Sequence, residues 1–246
     1  MSKSTLQFIG TGDAFGSGGR GTTCFYVHSD QTNFLIDCGA SALIFLKKYQ
    51  ININGISTII ISHFHGDHFG GLPFLFLDAQ LIQNRTEPLT IVGPEGIQER
   101  IHEIMEGLYK GSTTIPYNFD IHFKEVKEGE LVQLNDLEVR MWPVIHAPGS
   151  NPHGIRVKVK NKVIGYSGDS EWTENLVHIA DKSDIFICEC FNYYGDMKNH
   201  TSYSKLIEKQ SELNTKRLIM THMSDEVLNK DDLEIERAEE GKTIFI

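Results

Sequence analysis

Residues 62–70 read SHFHGDHFG and come directly after the apolar run ISTIII. Such a run is typical of a central strand that is covered on both faces. His63, His65, Asp67 and His68 therefore stand together at the end of a buried strand. Burying so many titratable groups without a partner ion would be costly, and imidazole and carboxylate are ligands for zinc, iron and manganese. The stretch predicts a metal site.

The spacing within this stretch predicts two groups of ligands. His63 and His65 are two positions apart, so an extended backbone points their side chains to the same side. Gly66 permits a tight turn, which would direct Asp67 and His68 to a second place nearby. Four residues cannot fill two sites, because each site needs about three protein ligands and a water.

Three further polar residues close apolar strands later in the chain. His146 ends LEVRMWPVIH, Asp169 ends KVIGYSGD and His222 ends KRLIMTH. Because a rigid scaffold presents its chemistry at strand ends, we expect these three to complete the metal site. Four other histidines are expected to be ordinary surface or core residues: His28, His102, His122 and His178.

Short strand-like runs alternate with helical ones along the chain. The first half reads β-β-β-α-β-α-β-α and the second half β-β-β-β-α-β-α-β. Residues 94–108, PEGIQERIHEIMEGL, for example, carry the apolar face of a helix. No Pro- or Ser-rich linker separates the halves, so we expect one domain over residues 1–246. The expected fold is a four-layer αββα sandwich, in which two mixed β-sheets are flanked by helices.

Composition and charge narrow the class of protein. Of the 246 residues 40% are hydrophobic, and 23 Lys and Arg against 33 Asp and Glu give a formal net charge of −10. Such a surface repels nucleic-acid phosphates and anionic membranes unless bound metal ions concentrate positive charge locally. The sequence shows no signal-peptide-like or bilayer-spanning apolar segment, so we expect a cytoplasmic protein without membrane contact. Cys188 and Cys190, two apart in a strand-like run, are expected to be buried thiols.

Residues 10–23, GTGDAFGSGGRGTT, are rich in glycine, but their spacing fits neither nucleotide-binding fingerprint. We expect a flexible loop beside the metal cleft. Arg20 in this loop is expected to be solvated rather than bound to a substrate phosphate.

These motifs together resemble the metallo-β-lactamase superfamily. The H-x-H-x-D-H stretch is specific to that superfamily, and SGDS and THMS, which contain Asp169 and His222, fit it as well. Within the superfamily the chain is similar to the branch of ribonuclease Z and the phosphodiesterases, through GTGDAFG, LIDCGAS, HGDHFGGLP, and ICECF followed by HTSYSKL. The resemblance implies the αββα sandwich and a dinuclear metal centre.

The resemblance also implies which residues hold each ion. One metal would take His63, His65 and His146, and the other would take Asp67, His68 and His222, with Asp169 bridging the two. The ions are expected to be Zn²⁺, with Mn²⁺ or Fe²⁺ as alternatives. Two such ions would share a water and lower its pKa, giving a hydroxide nucleophile.

Catalytic roles are predicted for Asp67, His200 and Glu189. His200 stands just before a predicted helix and would protonate the leaving group, and Glu189 would keep it protonated. An ordinary ion pair is the alternative for Glu189. Asp37, which ends NFLID, is expected to orient a ligand histidine, with a turn-forming aspartate as the alternative.

One departure from the branch bears on the substrate. Bacterial ribonuclease Z proteins usually carry a long tRNA-gripping arm between the positions that match His146 and Asp169. Here residues 147–168 leave room for barely two strands. We therefore expect a phosphodiesterase acting on a small phosphodiester, a cyclic nucleotide or an RNA end.

Two alternative activities use the same centre. One is tRNA 3′ cleavage without the usual arm. The other is lactone or ester hydrolysis, for which Tyr193 and Tyr194 offer a tyrosine near the metals. A non-catalytic binding module is disfavoured, because every expected ligand is present. Branch members often dimerise, which favours a homodimer.

Overall fold

The computed structural model describes residues 4–195 and 197–246, so residues 1–3 and 196 of the predicted domain lie outside the description. The first six strands are β1 (Thr5–Gly10), β2 (Cys24–His28), β3 (Asn33–Ile36), β4 (Ile56–Ile60), β5 (Leu89–Gly93) and β6 (Ile121–Glu125). The helices between them are α1 (Ala42–Lys48), α2 (Gly66–Phe69), α3 (Leu72–Leu81) and α4 (Ile97–Leu108).

The second half adds eight strands and three helices in the part of the chain that is described. The strands are β7 (Val132–Leu134), β8 (Leu137–Pro143), β9 (His153–Val159), β10 (Lys162–Tyr166), β11 (Ile185–Glu189), β12 (Leu218–Thr221), β13 (Glu236–Arg237) and β14 (Thr243–Phe245). The helices are α5 (Glu174–Ala180), α6 (Tyr203–Lys209) and α7 (Asp225–Leu228).

These strands form two seven-stranded sheets, ordered β14-β1-β2-β3-β4-β5-β6 and β13-β12-β11-β10-β9-β8-β7. In the first sheet β4 lies parallel to β3 and β5, whereas β1 and β2 are antiparallel. In the second sheet β11 lies parallel to β10 and β12, whereas β9 and β10 are antiparallel. Both sheets are therefore mixed, as predicted. The last strand, β14, returns to the first sheet and pairs antiparallel with β1.

Apolar side chains fill three layers. One buried cluster lies between the sheets and contains Ile60 of β4 with Ile164 and Ile187 of the facing sheet. A second cluster joins the outer face of the first sheet, including Ile59, to helices α1, α3 and α4. A third joins the outer face of the second sheet to α5 and α6. Successive strand residues face opposite sides, so Ile59 and Ile60 enter different layers, and the predicted αββα sandwich is confirmed.

The end of strand β8 and the state of two cysteines bear on local predictions made from the sequence. The strand predicted to run to His146 ends at Pro143, because the chain then turns away from β9 and Ile145 pairs with Glu171 instead. Cys188 and Cys190 are buried free thiols, as predicted. Among the described residues, no helix is long and apolar enough to cross a membrane.

Candidate metal centre

The HFHGDH segment leaves β4 in an extended conformation and then becomes helix α2. His65 precedes the helix, and its carbonyl accepts a hydrogen bond from the N–H of His68 at 2.9 Å. In place of the predicted tight turn, Gly66 is the first residue of helix α2. The change from extended to helical backbone separates His63 and His65 from Asp67 and His68.

Helix α2 is held by close backbone packing against the segment that follows β3. The N–H of Cys38 donates to the carbonyl of His68 at 2.7 Å, and that of Ala40 donates to Gly66 at 3.1 Å. A Cβ at Gly39 would lie 2.1 Å from the carbonyl oxygen of Asp67. Only glycine fits at position 39, so this contact fixes where the Asp67 backbone lies.

The structure brings three histidine nitrogens of the first predicted group together. Nδ1 of His65 lies 3.2 Å from Nε2 of His63 and 3.0 Å from Nε2 of His146. Oδ2 of Asp169 lies 3.9 Å from the His63 nitrogen and 3.8 Å from the His146 nitrogen. His63 and Asp169 are fully or almost fully buried.

The second predicted group is equally compact. Nε2 of His68 and Nε2 of His222 each lie 3.1 Å from Oδ2 of Asp67 and 3.3 Å from Oδ2 of Asp169. The same Asp169 oxygen therefore faces both groups. All seven side chains named from the sequence converge on one place.

These spacings fit metal ions. Ligand atoms at the corners of a tetrahedron with metal–nitrogen bonds of about 2.0–2.1 Å are about 3.3 Å apart. Three buried polar atoms in the cluster also have no hydrogen-bond partner: Nε2 of His68, Oδ1 of Asp169 and Nδ1 of His222. Buried polar atoms are rarely left unpaired, and cations facing the first two would satisfy them. Burial raises the pKa of the Asp67 carboxyl, but His68 and His222 beside it hold that pKa below its usual range.

Asp37 orients two of the histidines. Nδ1–H of His68 donates to Oδ2 of Asp37 at 2.7 Å. The Oγ–H of Ser62 donates to the same carboxylate at 2.8 Å, which leaves the Ser62 oxygen to accept from Nδ1–H of His63 at 3.0 Å. Both imidazoles then direct Nε2 toward the cluster. The expected orienting role of Asp37 has a clear geometric basis, and Ser62 is an addition that the sequence did not indicate.

His146 is oriented by a backbone group that the sequence also did not indicate. Its Nδ1–H donates to the carbonyl of Asn199 at 2.7 Å. Asn199 has a left-handed backbone with a φ of 73°, and its N–H donates to the carboxylate of Glu171 at 2.7 Å. Glu171 therefore holds the loop that holds His146. A contact made through a carbonyl leaves no side-chain signature by which sequence reasoning could find it.

Glu189 and His200 form a pair beside the cluster. Nδ1 of His200 lies 2.9 Å from Oε2 of Glu189. Glu189 is completely buried, and its other oxygen, Oε1, accepts the N–H of Ser170. Burial raises the pKa of Glu189 to about 7. Burial alone would lower the pKa of His200, but the hydrogen bond and charge of Glu189 raise it. The His200 ring stands 4.9 Å from that of His146, so the pair borders the ligand groups.

A cavity of about 360 Å³ opens over this cluster. Its lining includes most of the predicted ligands together with Phe15, Phe191, Asn199 and His200. Phe15 belongs to the glycine-rich segment, which therefore lies beside the cleft as predicted. The expectation of a solvated Arg20 is wrong, because its guanidinium donates to Oγ1 of Thr11 and the carbonyl of Ala238. A larger cavity of about 560 Å³, between α4 and β6, contains none of the predicted site residues.

Two of the histidines expected to be ordinary residues, His28 and His102, lie apart from the cluster. His28 is exposed and bonded to Asn33, and His102 packs edge-on against Phe123. Tyr193 stacks on Tyr203 at 5.2 Å and contacts Tyr194, so these two tyrosines form part of a separate aromatic group.

Comparison with known proteins identifies the family. The profile of the family described as anti-Pycsar protein Apyc1 matches residues 4–244. The chain belongs to the anti-Pycsar protein Apyc1 family. A ribonuclease Z from Agathobacter rectalis is 25% identical to this Apyc1-family chain over 272 aligned positions, which cover 91% of the chain and 89% of the relative. The alignment is longer than the 246 residues of the chain, so the relative contains insertions.

Solved structures show the same fold. The metallo-β-lactamase fold protein YhfI from Bacillus subtilis superimposes with a TM-score of 0.80 at 18% identity over the whole of both chains. The short form of human tRNase Z gives a TM-score of 0.77 at 23% identity over 98% of each chain. The resemblance to the metallo-β-lactamase superfamily, in the branch of ribonuclease Z and the phosphodiesterases, is confirmed. The Apyc1-family chain is a metal-dependent hydrolase with a His and Asp cluster suited to divalent ions.

Proposed function

We propose that the chain is a dinuclear phosphodiesterase that hydrolyses a small phosphodiester such as a cyclic nucleotide or an RNA end. The observation that carries this proposal is the sharing of Asp169 Oδ2 by two ligand groups at 3.3 to 3.9 Å. Two adjacent cations suit in-line displacement at phosphorus, where the attacking and leaving oxygens both need stabilisation. Relatives named ribonuclease Z support phosphodiester chemistry.

Seven residues would hold two ions, for which we propose Zn²⁺, with Mn²⁺ or Fe²⁺ as alternatives: His63, His65, His146, Asp67, His68, His222 and Asp169. Ions held there would lower the pKa of a bound water and neutralise negative charge on the phosphoryl group. No Lys or Arg occurs among the described residues that line the cavity. The described part of the lining therefore offers an anionic substrate no fixed positive side chain.

His200 is the residue that we assign to the leaving group. It lines the cavity through its ring, and its Nδ1 is occupied by Glu189, which leaves Nε2 free to donate a proton. An alkoxide leaving group needs that proton, whereas a nitrophenolate does not. Asp67 acts in this scheme as a ligand of the second ion, with its Oδ2 beside Nε2 of His68 and Nε2 of His222.

The size of the substrate follows from the connection between β8 and β10. Residues 147–168 form a loop and the β9–β10 pair, and no arm extends from them. With a net charge of −10 the chain also lacks an electrostatic reason to hold a tRNA body. The tRNA 3′ endonuclease alternative is favoured only by the names of the relatives. The lactonase alternative is weakened, because Tyr193 and Tyr194 do not line the cavity.

A substrate panel tests the proposal. The metal-loaded protein is assayed on bis-p-nitrophenyl phosphate, cyclic nucleotides, a lactone and a tRNA precursor. We expect hydrolysis of the diesters that is lost on chelation and restored by Zn²⁺ or Mn²⁺. Cleavage of the lactone alone, or of the tRNA precursor alone, would replace the proposal with the corresponding alternative.

The role of His200 predicts a dependence on the leaving group. His200→Ala should lower kcat by about 10²–10⁴-fold on a cyclic nucleotide, whose leaving group is an alkoxide, and far less on bis-p-nitrophenyl phosphate. His102→Ala, which removes a histidine outside the cavity, is the matched control and should change neither rate. Equal losses of His200→Ala on both substrates would contradict the assignment.

A further inference from the structure

Phe15 is the most exposed large hydrophobic side chain recorded for the described residues, at 82%. It lies at the mouth of the cavity that contains the predicted ligands. A single exposed phenylalanine on a surface needs no explanation, but this one borders a catalytic cleft. A series of ring contacts leads from Phe15 into the cleft: Phe15 meets Phe191 edge-on at 6.2 Å, and Phe191 stacks on His200 at 4.8 Å.

The backbone under Phe15 is fixed at several points. The completely buried carboxylate of Asp13 accepts the N–H groups of Phe15 and Ser17, each at 3.0 Å, and the Ser17 hydroxyl at 2.6 Å. These bonds close a turn on either side of the phenylalanine. The segment predicted to be a flexible loop is thus held by its own buried aspartate.

Two contacts tie the same segment to the rest of the molecule. The N–H of Gly18 donates to Asp225 in α7 at 2.8 Å, and the N–H of Gly21 donates to Glu240. A side chain with two χ angles on a backbone held in this way loses little entropy when a ligand packs on it. The protein thus holds an exposed aromatic ring on a fixed backbone beside the candidate metal centre.

We propose that Phe15 is a stacking platform for the base of a nucleotide whose phosphodiester lies at the metal centre. The inference rests on the proposed function and narrows its substrate to diesters that carry a planar heteroaromatic group near phosphorus. The cavity of about 360 Å³ falls at the small end of the range of about 300–1,000 Å³ for ligand sites, which suits one nucleotide. Stacking is tolerant of base identity, because every base has a π-face.

The test uses two diesters with the same leaving group. Thymidine 5′-p-nitrophenyl phosphate carries a base, and methyl p-nitrophenyl phosphate does not. The readout is the ratio of kcat/KM for the first substrate to kcat/KM for the second, measured with the metal-loaded protein. Because the ratio cancels any general damage to the centre, it reports recognition of the nucleoside alone.

Phe15→Ala should lower this ratio by about 5- to 150-fold, the range expected for loss of one base–aromatic stack. Phe15→Trp should keep the ratio within a few-fold of the wild type, and Phe15→Leu should lower it by less than Phe15→Ala. The matched control is Phe74→Ala, because Phe74 is a partly exposed aromatic residue that packs against Tyr109 outside the cavity. The control should leave the ratio unchanged.

Each other outcome overturns the inference. An unchanged ratio in Phe15→Ala, or an equal loss on both diesters, would show that Phe15 does not recognise the base. In that case hydrolysis by the wild-type protein would leave the proposed function standing. A wild-type protein that hydrolyses neither diester would remove the proposed function and the stacking platform together.

Discussion

At the scale of single residues, the pairing of Glu189 with His200 would set the protonation state of the proposed general acid. A general acid works only while protonated, so its pKa sets the alkaline limit of the rate. Burial lowers the pKa of His200, and two cations nearby would lower it further. The carboxylate at 2.9 Å acts in the opposite direction and raises it. Without Glu189, His200 would lose its proton at a lower pH, and the alkaline limit of the rate would fall with it.

Glu189→Gln should therefore shift the alkaline limb of kcat/KM toward lower pH. Glutamine can still accept a hydrogen bond but carries no charge, so we expect a shift of about 1–3 pH units with a cyclic nucleotide as substrate. The pH profile is measured from pH 5 to 10, with Glu138→Gln as the control because Glu138 pairs with Lys158 away from the cavity. An unmoved limb, or one shifted to higher pH, would show that Glu189 does not set the pKa of His200.

The sequence indicated the candidate ligands that the structure brings together and missed the groups that orient them. His146, Asp169 and His222 could be found because a polar residue at the end of an apolar strand is unusual. Ser62 could not be found in this way, because a serine after an apolar strand is not unusual enough to suggest a role. Asn199 acts through its carbonyl, and Glu171 acts only through Asn199. Such contacts depend on loop conformations that no local pattern specifies.

At the scale of elements, Arg85 connects the segment after α3 to the turn before β4, the strand that leads into the metal site. It is 2% exposed, and its guanidinium donates to five backbone carbonyls of the described residues. The acceptors are the carbonyls of Ile53, Asn54, Ile56, Glu87 and Pro88, at 2.6 to 3.4 Å. This one side chain satisfies groups from two segments that sequence patterns treat as separate loops.

Arg85→Met should destabilise the protein by about 3–5 kcal/mol, because it keeps the apolar stem but leaves buried carbonyls without donors. Urea unfolding measures the effect. Arg100→Met, which breaks an exposed pair with Glu103 on α4, should cost less than about 1 kcal/mol. A value for Arg85→Met as small as that of the control would mean that water replaces the lost donors.

Long apolar periodicities predicted the central strands and helices of the fold, but not all of its edges. The run at β4 is long enough to identify as a buried strand, and α4 shows one apolar face. Strand β14 has three residues, too few for a period of two to be recognised. Its pairing with β1 is a contact between the two ends of the chain, which depends on the tertiary fold rather than on local sequence.

At the scale of the whole molecule, the candidate centre joins the two sheets. The HFHGDH segment follows β4 of the first sheet, whereas His146, Asp169 and His222 follow β8, β10 and β12 of the second. Ions bound here would link the halves across the sandwich. Without ions, buried polar atoms such as Oδ1 of Asp169 would stay unpaired, which would destabilise this contact between the sheets.

Removal of metal should therefore lower the thermal stability of the whole protein, not only its activity. Ions that bind the folded state and are present at 1,000 times their dissociation constant contribute about 4 kcal/mol, which corresponds to about 8–16 °C in Tm for a protein of this size. We expect chelation to lower the Tm of the wild type by such an amount and Zn²⁺ to restore it. Asp169→Asn, which lacks the carboxylate shared by both groups, should respond far less to either treatment. If chelation leaves the wild-type Tm unchanged, or lowers it equally in Asp169→Asn, the ions do not link the two sheets through this residue.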